Sequence, residues 1–331
     1  MEKMLLAGLL ALWCYFAALF PSAQTDDGTL RLLFWNLENY FDWRNDSTSV
    51  SDAEFSSFGE RRWTRKRFRA KSQAVAKTLC WVASDNGAFP DVVGFAEVEN
   101  RFVLRRLLQE SSLRKLDYEV VHYDSPDPRG IDVALLYRSS VLELVKSRSC
   151  HVYTDSGTVL PTRDILLVRL RKKHDGEEFA VLVSHLPSKY GGVAISAPKR
   201  EAAVRRLRFL ADSLRDTGTD RIVAMGDFND TPDNPVFRLL EPALINLAAP
   251  LYRQGHGTIR YNGKWDMIDM FFVSPALSVP RSVMKILHVP FLETPDKTHG
   301  GLKPLRTYVG PRYTGGVSDH CPVLLELQLP P

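Results

Sequence analysis

Nine short runs of this 331-residue chain read as β-strands, and several are apolar without a break: 30–37, 91–98, 118–123, 131–138, 165–170, 179–185, 221–226, 267–274 and 323–327. A strand with one wetted face alternates, whereas an unbroken apolar run needs cover on both faces. The chain must therefore layer its sheets, and three stretches can do so. Apolar residues at Phe68, Val75, Leu79 and Val82, and at Val204, Leu207, Leu210, Ala211 and Leu214, form helical stripes over 68–82 and 199–214. A shorter helix is expected over 102–108. Strands alternating with helices argue an α/β fold with some antiparallel hairpins. His174-Asp175-Gly176-Glu177, between two strand runs, is a hairpin turn signal.

The ends of these runs carry the chemistry. Leu32 to Trp35 lead to Asn36 and Glu38, and Val92 to Ala96 lead to Glu97 and Glu99. Ala180 to Ser184 lead to His185, and Ile222 to Met225 lead to Asp227 and Asn229. A single polar strand end is a cap or a turn. Four alike point to the place where α/β sheets gather ligands, beyond the carboxyl ends of strands. Asp269 sits inside an apolar run, where a charge is costly unless paired or bound to a cation. Asp319 and His320 stand side by side before the last strand. Asp230 and Asp233 read as turn or cap residues, because Thr231-Pro232 and Asn234-Pro235 signal a loop. Glu38, Glu99 and Asp132 are secondary candidates. His122, His151, His174, His256 and His299 read as structural or solvated.

Bulk properties narrow the classes. Lys3 precedes the apolar run Met4 to Phe20, and Ser22 and Ala23 follow. This form reads as a signal peptide over 1–24, with one domain over 25–331. The other reading is a retained anchor, but about 17 apolar residues are short for a spanning helix. A net charge of +4 is compatible with a polyanionic substrate without being diagnostic of one. Cys80, Cys150 and Cys321 exclude a disulfide scaffold, and the lack of CxxC or HExxH argues against a thiolate zinc site. From Arg61 to Lys71, seven basic residues in eleven surround Trp63 with no acid among them. A solvated charge run is the ordinary meaning. The alternative is a phosphate-backbone contact through Arg65 and Arg67, with Trp63 as a stacking surface.

Six segments then fall in a recognisable order: Asn36-Leu37-Glu38-Asn39, Glu97-Val98-Glu99-Asn100, Ser184-His185, Gly226-Asp227-Phe228-Asn229-Asp230, Ile268-Asp269 and Ser318-Asp319-His320. In this the chain resembles the endonuclease/exonuclease/phosphatase superfamily. That superfamily includes pancreatic deoxyribonuclease, apurinic-site endonucleases, neutral sphingomyelinases and inositol polyphosphate 5-phosphatases. Within it the chain looks like an exported bacterial branch, through Asn39-Tyr40-Phe41-Asp42, Arg61-Arg62-Trp63-Thr64, 129–138, 187–192 and 306–310. One position departs: Ala96 stands where the superfamily usually has Gln, which puts the support of the neighbouring acid in doubt.

The resemblance implies a deoxyribonuclease-like α/β four-layer sandwich, two mixed β-sheets face to face with helices outside. It implies metal-assisted phosphoester hydrolysis with Mg²⁺ or Mn²⁺ as cofactor. Glu97 would hold the metal, Asn36 would orient that ligand or the phosphate, and Asp319 would add a ligand. Asp227 would take a proton from water or orient it, and Asn229 would hold the same water or a phosphoryl oxygen. His320 would contact the phosphate with Asp269 favouring its charged form, and His185 would be a second phosphate contact or a leaving-group acid. Arg129, Lys189, Arg65 and Arg67 are the expected substrate contacts. An exported nuclease is the expected function, acting as a monomer on DNA or RNA, with no stable membrane span once the leader is removed. The alternatives are a phosphoesterase on a lipid or small molecule, sphingomyelinase-like or inositol phosphatase-like, and a catalytically silent binding protein.

Overall fold

The structure is a computed structural model that describes residues 28–46, 49–189, 191–278 and 280–329. The expected signal peptide and its cleavage site lie outside the described residues. No described helix is long and apolar enough to cross a membrane.

Two six-stranded sheets dominate. Their strands are β1 (Thr29–Tyr40), β2 (Val92–Val98), β3 (Tyr118–His122), β4 (Asp132–Arg138), β5 (Leu142–Cys150), β6 (Ile165–Lys172), β7 (Glu178–His185), β8 (Ile222–Asp227), β9 (Ile245–Asn246), β10 (Asp269–Val273), β11 (Ser282–Ile286) and β12 (Val323–Gln328). One sheet runs β11-β12-β1-β2-β4-β3 and the other β5-β6-β7-β8-β10-β9. Each is mixed: β1 pairs parallel with β2, β7 pairs parallel with β8, and the other neighbours are antiparallel. All nine strands read from the sequence are present. Three it did not give, β5, β9 and β11, each lie at a sheet edge.

The helices are α1 (Val50–Glu54), α2 (Arg65–Asn86), α3 (Arg101–Glu110), α4 (Val193–Asp216) and α5 (Ala249–Arg253). The Thr64 hydroxyl caps α2 by accepting from the Arg67 N–H, and Gly87 ends the helix in the left-handed region. Asn100 caps α3 in the same way. α4 begins six residues before the expected start and carries Pro198 inside it. That proline removes the N–H that would otherwise donate to the Ala194 carbonyl.

Strand alternation builds the layers. Leu32 and Phe34 of β1 and Leu135 of β4 join Val183, Met225 and Phe271 of the other sheet in one core. Their neighbours Leu33, Trp35, Val93, Phe95 and Leu136 join Phe68, Val75, Leu79 and Val82 of α2 and Val103, Leu104 and Leu107 of α3 in a second. Val204, Leu207, Leu210 and Leu214 bring α4 to the second sheet. The result is the expected four-layer α/β sandwich. The sheets approach closely at Gly94, where an added Cβ would meet the Met225 methyl at 2.5 Å.

Parallel pairing aligns the carboxyl ends of β1 with β2 and of β7 with β8. In the latter pair Ser184 is opposite Gly226 and His185 opposite Asp227. Gly226 is fixed by this approach: a Cβ there would fall 2.1 Å from the Ser184 carbonyl oxygen, a backbone atom that has no rotamer to escape into. Gly226→Ala should therefore destabilise the fold by about 1–3 kcal/mol, the scale of overpacking, and displace Asp227. A lowered urea midpoint with reduced activity is the expected result. A midpoint equal to that of the wild type would contradict this account of the strand pair.

Candidate active site

The four strand ends meet between the sheets. The Asn36 amide nitrogen, where the regular β1–β2 pairing breaks, donates to Asp227 Oδ2 at the end of β8, 3.0 Å away. The backbone turns sharply here. Glu38, Asn39, Glu97 and Asn229 all have positive φ, between 47° and 59°. Non-glycine residues adopt this region at a cost, and such residues cluster where function fixes a geometry. The β1–β2 pairing shifts register between Asn36 and Tyr40, and the β2–β4 pairing shifts between Ala96 and Val98. These irregularities re-aim the side chains that follow them.

Asp227 is the hub. Its Oδ1 accepts from the Asn229 N–H at 2.9 Å. Its Oδ2, already bonded to Asn36, lies 3.5 Å from His185 Nε2 and 3.9 Å from His320 Nε2. Asp269 stands opposite Asp227 in the antiparallel β8–β10 register. Asp269 is fully buried, and its Oδ2 is 2.8 Å from His320 Nδ1. The expected pairing of Asp269 with His320 is thus in place. His320 is further held by its carbonyl, which accepts from the Trp35 indole, and by its N–H, which donates to Ser318 Oγ.

The charges in this cluster are unequal. Burial, with Asp269 adding to it, raises Asp227 to about 7 even though His320 pulls the other way. Burial also works to lower His320, but the Asp269, Asp319 and Asp227 carboxylates outweigh it and hold the imidazole well above its ordinary value. His185 goes the opposite way. Burial, then the positive charges of Arg163, Arg129 and His320, push it well below its ordinary value. One histidine is therefore held as a cation and the other neutral, with a carboxylate between them. The His185 Nδ1 is buried and has no hydrogen-bond partner among the described residues. Its Nε2 faces Asp227 and Glu97 Oε1, the latter at 4.0 Å, so the proton of the neutral ring belongs on Nε2.

A second group of acids lies alongside. Glu97 accepts from the Asn39 N–H at 2.8 Å, so a backbone amide holds the carboxylate whose support is in doubt at Ala96. Arg306 bridges Glu38 at 2.8 Å and Asp319 at 3.1 Å. The Thr307 N–H donates to the other Glu38 oxygen at 2.9 Å. Beneath them the buried Lys71 ammonium donates to the Glu38 carbonyl at 2.6 Å and to Thr307 Oγ1 at 2.8 Å. Burial lowers Lys71 to about 8, against the pull of Glu38, Glu97 and Asp319. Burial and Asp319 raise Glu38 to about 7. Carboxylates gathered in this way are the donor set a hard divalent cation prefers. Asn36 is already committed: its Oδ1 accepts from the Glu38 N–H and its nitrogen serves Asp227. It orients both clusters.

The expected substrate contacts are placed less uniformly. Arg129 bears on His185 electrostatically and lies 3.7 Å from Asp127 with its side chain half exposed. Lys189 pairs with Asp230 at 2.9 Å, and Arg200, itself buried, approaches the same carboxylate at 3.3 Å. Asp230 is thus a buried ion-pair partner as well as a loop residue. Arg65 pairs with Glu110 at 3.3 Å and lies over the Trp43 ring. Arg67 donates to the Arg61 and Arg62 carbonyls and stacks on Tyr313. These contacts tie Arg65 and Arg67 to the protein rather than to the acid–histidine cluster. The stacking surface expected at Trp63 is absent: the ring is fully buried, and its N–H donates to the Phe41 carbonyl at 2.7 Å.

Several site residues were not singled out from the sequence. Arg163 reaches under β7 to the His185 and Leu186 carbonyls and pairs with Asp127 at 2.9 Å. Lys71 was part of the basic run, and Arg306 and Thr307 appeared only among the branch marks. Asp132 pairs with His122 at 3.1 Å and accepts from Ser125.

The chain's sequence matches the Endonuclease/Exonuclease/phosphatase family over residues 31–329. The chain belongs to that family. It is similar in fold to an endonuclease/exonuclease/phosphatase family protein from Bacteroides thetaiotaomicron, at 17% identity and a TM-score of 0.59, covering 90% of this chain and 97% of that one. It is similar to the human Nocturnin catalytic domain with bound sulfate at 17% identity and a TM-score of 0.57, covering 90% and 94%. It is also similar to the mannosyl-6-phosphatase Bt3783 of Bacteroides thetaiotaomicron VPI-5482, at 17% identity and a TM-score of 0.57, covering 90% and 99%. A search of curated proteins gives no significant match. At these identities the solved structures speak for the fold alone.

Proposed function

We propose that the chain is a divalent-metal-dependent phosphoester hydrolase and that it acts as an exported nuclease on phosphodiester bonds. The observation that carries the hydrolase reading is Asp227, bonded to Asn36 and Asn229 and set between a cationic and a neutral histidine. A Mg²⁺ or Mn²⁺ ion held by Glu97 and Asp319 would supply charge withdrawal from the phosphate oxygens.

The other contributions come from the chain itself. Asp227, raised to about 7, is matched to accept a proton from water near neutral pH. The Asn229 amide nitrogen is engaged by the Leu186 carbonyl, so its Oδ1 remains to hold that water. The charged His320 presents Nε2–H to a phosphoryl oxygen, and Asp269 fixes its ring through Nδ1. His185, kept neutral, serves as an N–H donor. That selects the phosphate-contact role over the leaving-group acid.

The nuclease reading draws on the mildly basic charge and on a likeness of fold to zebrafish TDP2, whose structure holds a single-stranded DNA product (15% identity, TM-score 0.55). The direct test sets purified protein with Mg²⁺ or Mn²⁺ against plasmid DNA, RNA, sphingomyelin and small phosphomonoesters. Cleavage of DNA or RNA supports the reading. Turnover confined to the lipid or the monoesters replaces it with the small-substrate alternative.

A pH dependence follows from the His320 pair. Because Asp269 helps keep His320 protonated, the wild type should retain kcat/KM well into alkaline pH. Asp269→Asn removes that support, so the alkaline limb should move toward acid. A limb that stays in place in the variant would separate His320 protonation from turnover.

A further inference from the structure

We infer that a second divalent cation, Ca²⁺, binds at Glu99, Asp52 and Asp46, apart from the catalytic carboxylates. Glu99 follows β2. Asp46 lies in the segment between β1 and α1, and Asp52 in the first turn of α1. One ligand oxygen from each of the three comes within 4.8 Å of the others. Three protein carboxylates suit Ca²⁺, a hard cation that takes its ligands from protein oxygens in flexible geometry, whereas Mg²⁺ dehydrates reluctantly and is rarely held by a dedicated all-protein cage.

Glu99 gives the independent sign of a missing partner. Its side chain is only 6% exposed. Its Oε2 accepts from the Asp42 N–H at 2.6 Å, while its Oε1 is buried with no hydrogen-bond partner among the described residues. A buried carboxylate oxygen left in this state is costly, and a cation shared with Asp52 and Asp46 removes the cost. The nearest basic side chain of the same segment, Arg44, lies instead over the Phe102 ring at 4.2 Å. The ion would tie the β1–α1 segment to the end of β2. The segment continues from Asn39 of β1, whose N–H holds the Glu97 carboxylate of β2, so the ion braces the backbone around Glu97.

This inference stands apart from the phosphoester reading, because it concerns different side chains and is read without turnover. The protein is stripped with chelator, the chelator is removed, and Ca²⁺ is titrated calorimetrically at saturating Mg²⁺. Displacement of Tb³⁺ luminescence excited through the neighbouring Trp43 gives a second readout. The expected result is one Ca²⁺ site that survives Glu97→Gln, is lost in Glu99→Gln and weakens at least about 10-fold in Asp46→Asn. Asp46 is exposed, so that variant decides the matter even where Glu99→Gln fails to fold. Absence of Ca²⁺ binding up to millimolar concentration overturns the inference. So does affinity unchanged in Asp46→Asn and Asp52→Asn, or loss of the site in Glu97→Gln alone.

Discussion

Asp227→Asn should lower kcat by about 10²-fold or more, the scale on which a positioned acid or base contributes, and should leave the fold at least as stable as before. The two expectations have one cause. Asp227 is 2% exposed and faces a second carboxylate at Asp269, so its charge is held in a place that opposes charge. Such arrangements serve function at the expense of stability. The amide keeps the shape of the side chain and an oxygen to accept from the Asn229 N–H; its nitrogen can no longer accept from the Asn36 amide, a loss that removal of the buried charge offsets, and it cannot take a proton from water. Steady-state kinetics with a thermal melt checks both halves. Wild-type turnover in the variant would remove Asp227 from the proton chemistry, and a collapsed melting transition would make it a structural residue.

Glu97→Gln should have the second large effect, and it should act through the metal. Gln retains an oxygen for the Asn39 N–H, so the strand end should keep its shape while the site loses a negative charge. Outer-sphere partners of metals typically cost about 10–100-fold in affinity or activity when removed, and loss of a ligand should cost at least as much. The expected signature is a rise of that order in the Mg²⁺ or Mn²⁺ concentration giving half-maximal activity. A change in kcat at unchanged metal dependence would assign Glu97 to a different task.

Much of the fold was legible because burial on both faces writes itself as unbroken apolar sequence. β2 and β8 are nearly continuous hydrophobic runs, which asks for cover on both faces, while the sandwich itself is what the family resemblance implies. The strands that escaped notice are those for which this logic fails. β5 carries Glu143, Lys146 and Arg148 on a wetted edge, and β11 alternates in the same way with Val283 and Lys285 toward solvent. Charged edges of this kind guard a sheet against pairing with other chains, and they read like loops.

The acid–histidine cluster was legible for a related reason. Asn36, Glu97, His185 and Asp227 each follow an apolar strand run, and parallel pairing of β1 with β2 and of β7 with β8 brings these positions together. The residues around them depend on tertiary placement. Lys71 looked like one charge in a solvated run, yet the fold buries it beneath Glu38. Arg306 lies 268 residues from the glutamate it pairs with, and no local pattern announces that contact. Trp63 failed as a stacking surface because local sequence shows its basic neighbours but not the core that receives its ring.

The central claim is that this carboxylate–histidine site hydrolyses phosphoesters only with a divalent metal. Hydrolysis of a generic phosphodiester, bis(p-nitrophenyl) phosphate, by chelator-treated protein before and after return of Mg²⁺ or Mn²⁺ tests it most directly. The account predicts activity that vanishes on chelation, returns with metal, and fails to return in Asp227→Asn. Full hydrolysis in excess chelator, or equal recovery in the variant, would contradict it.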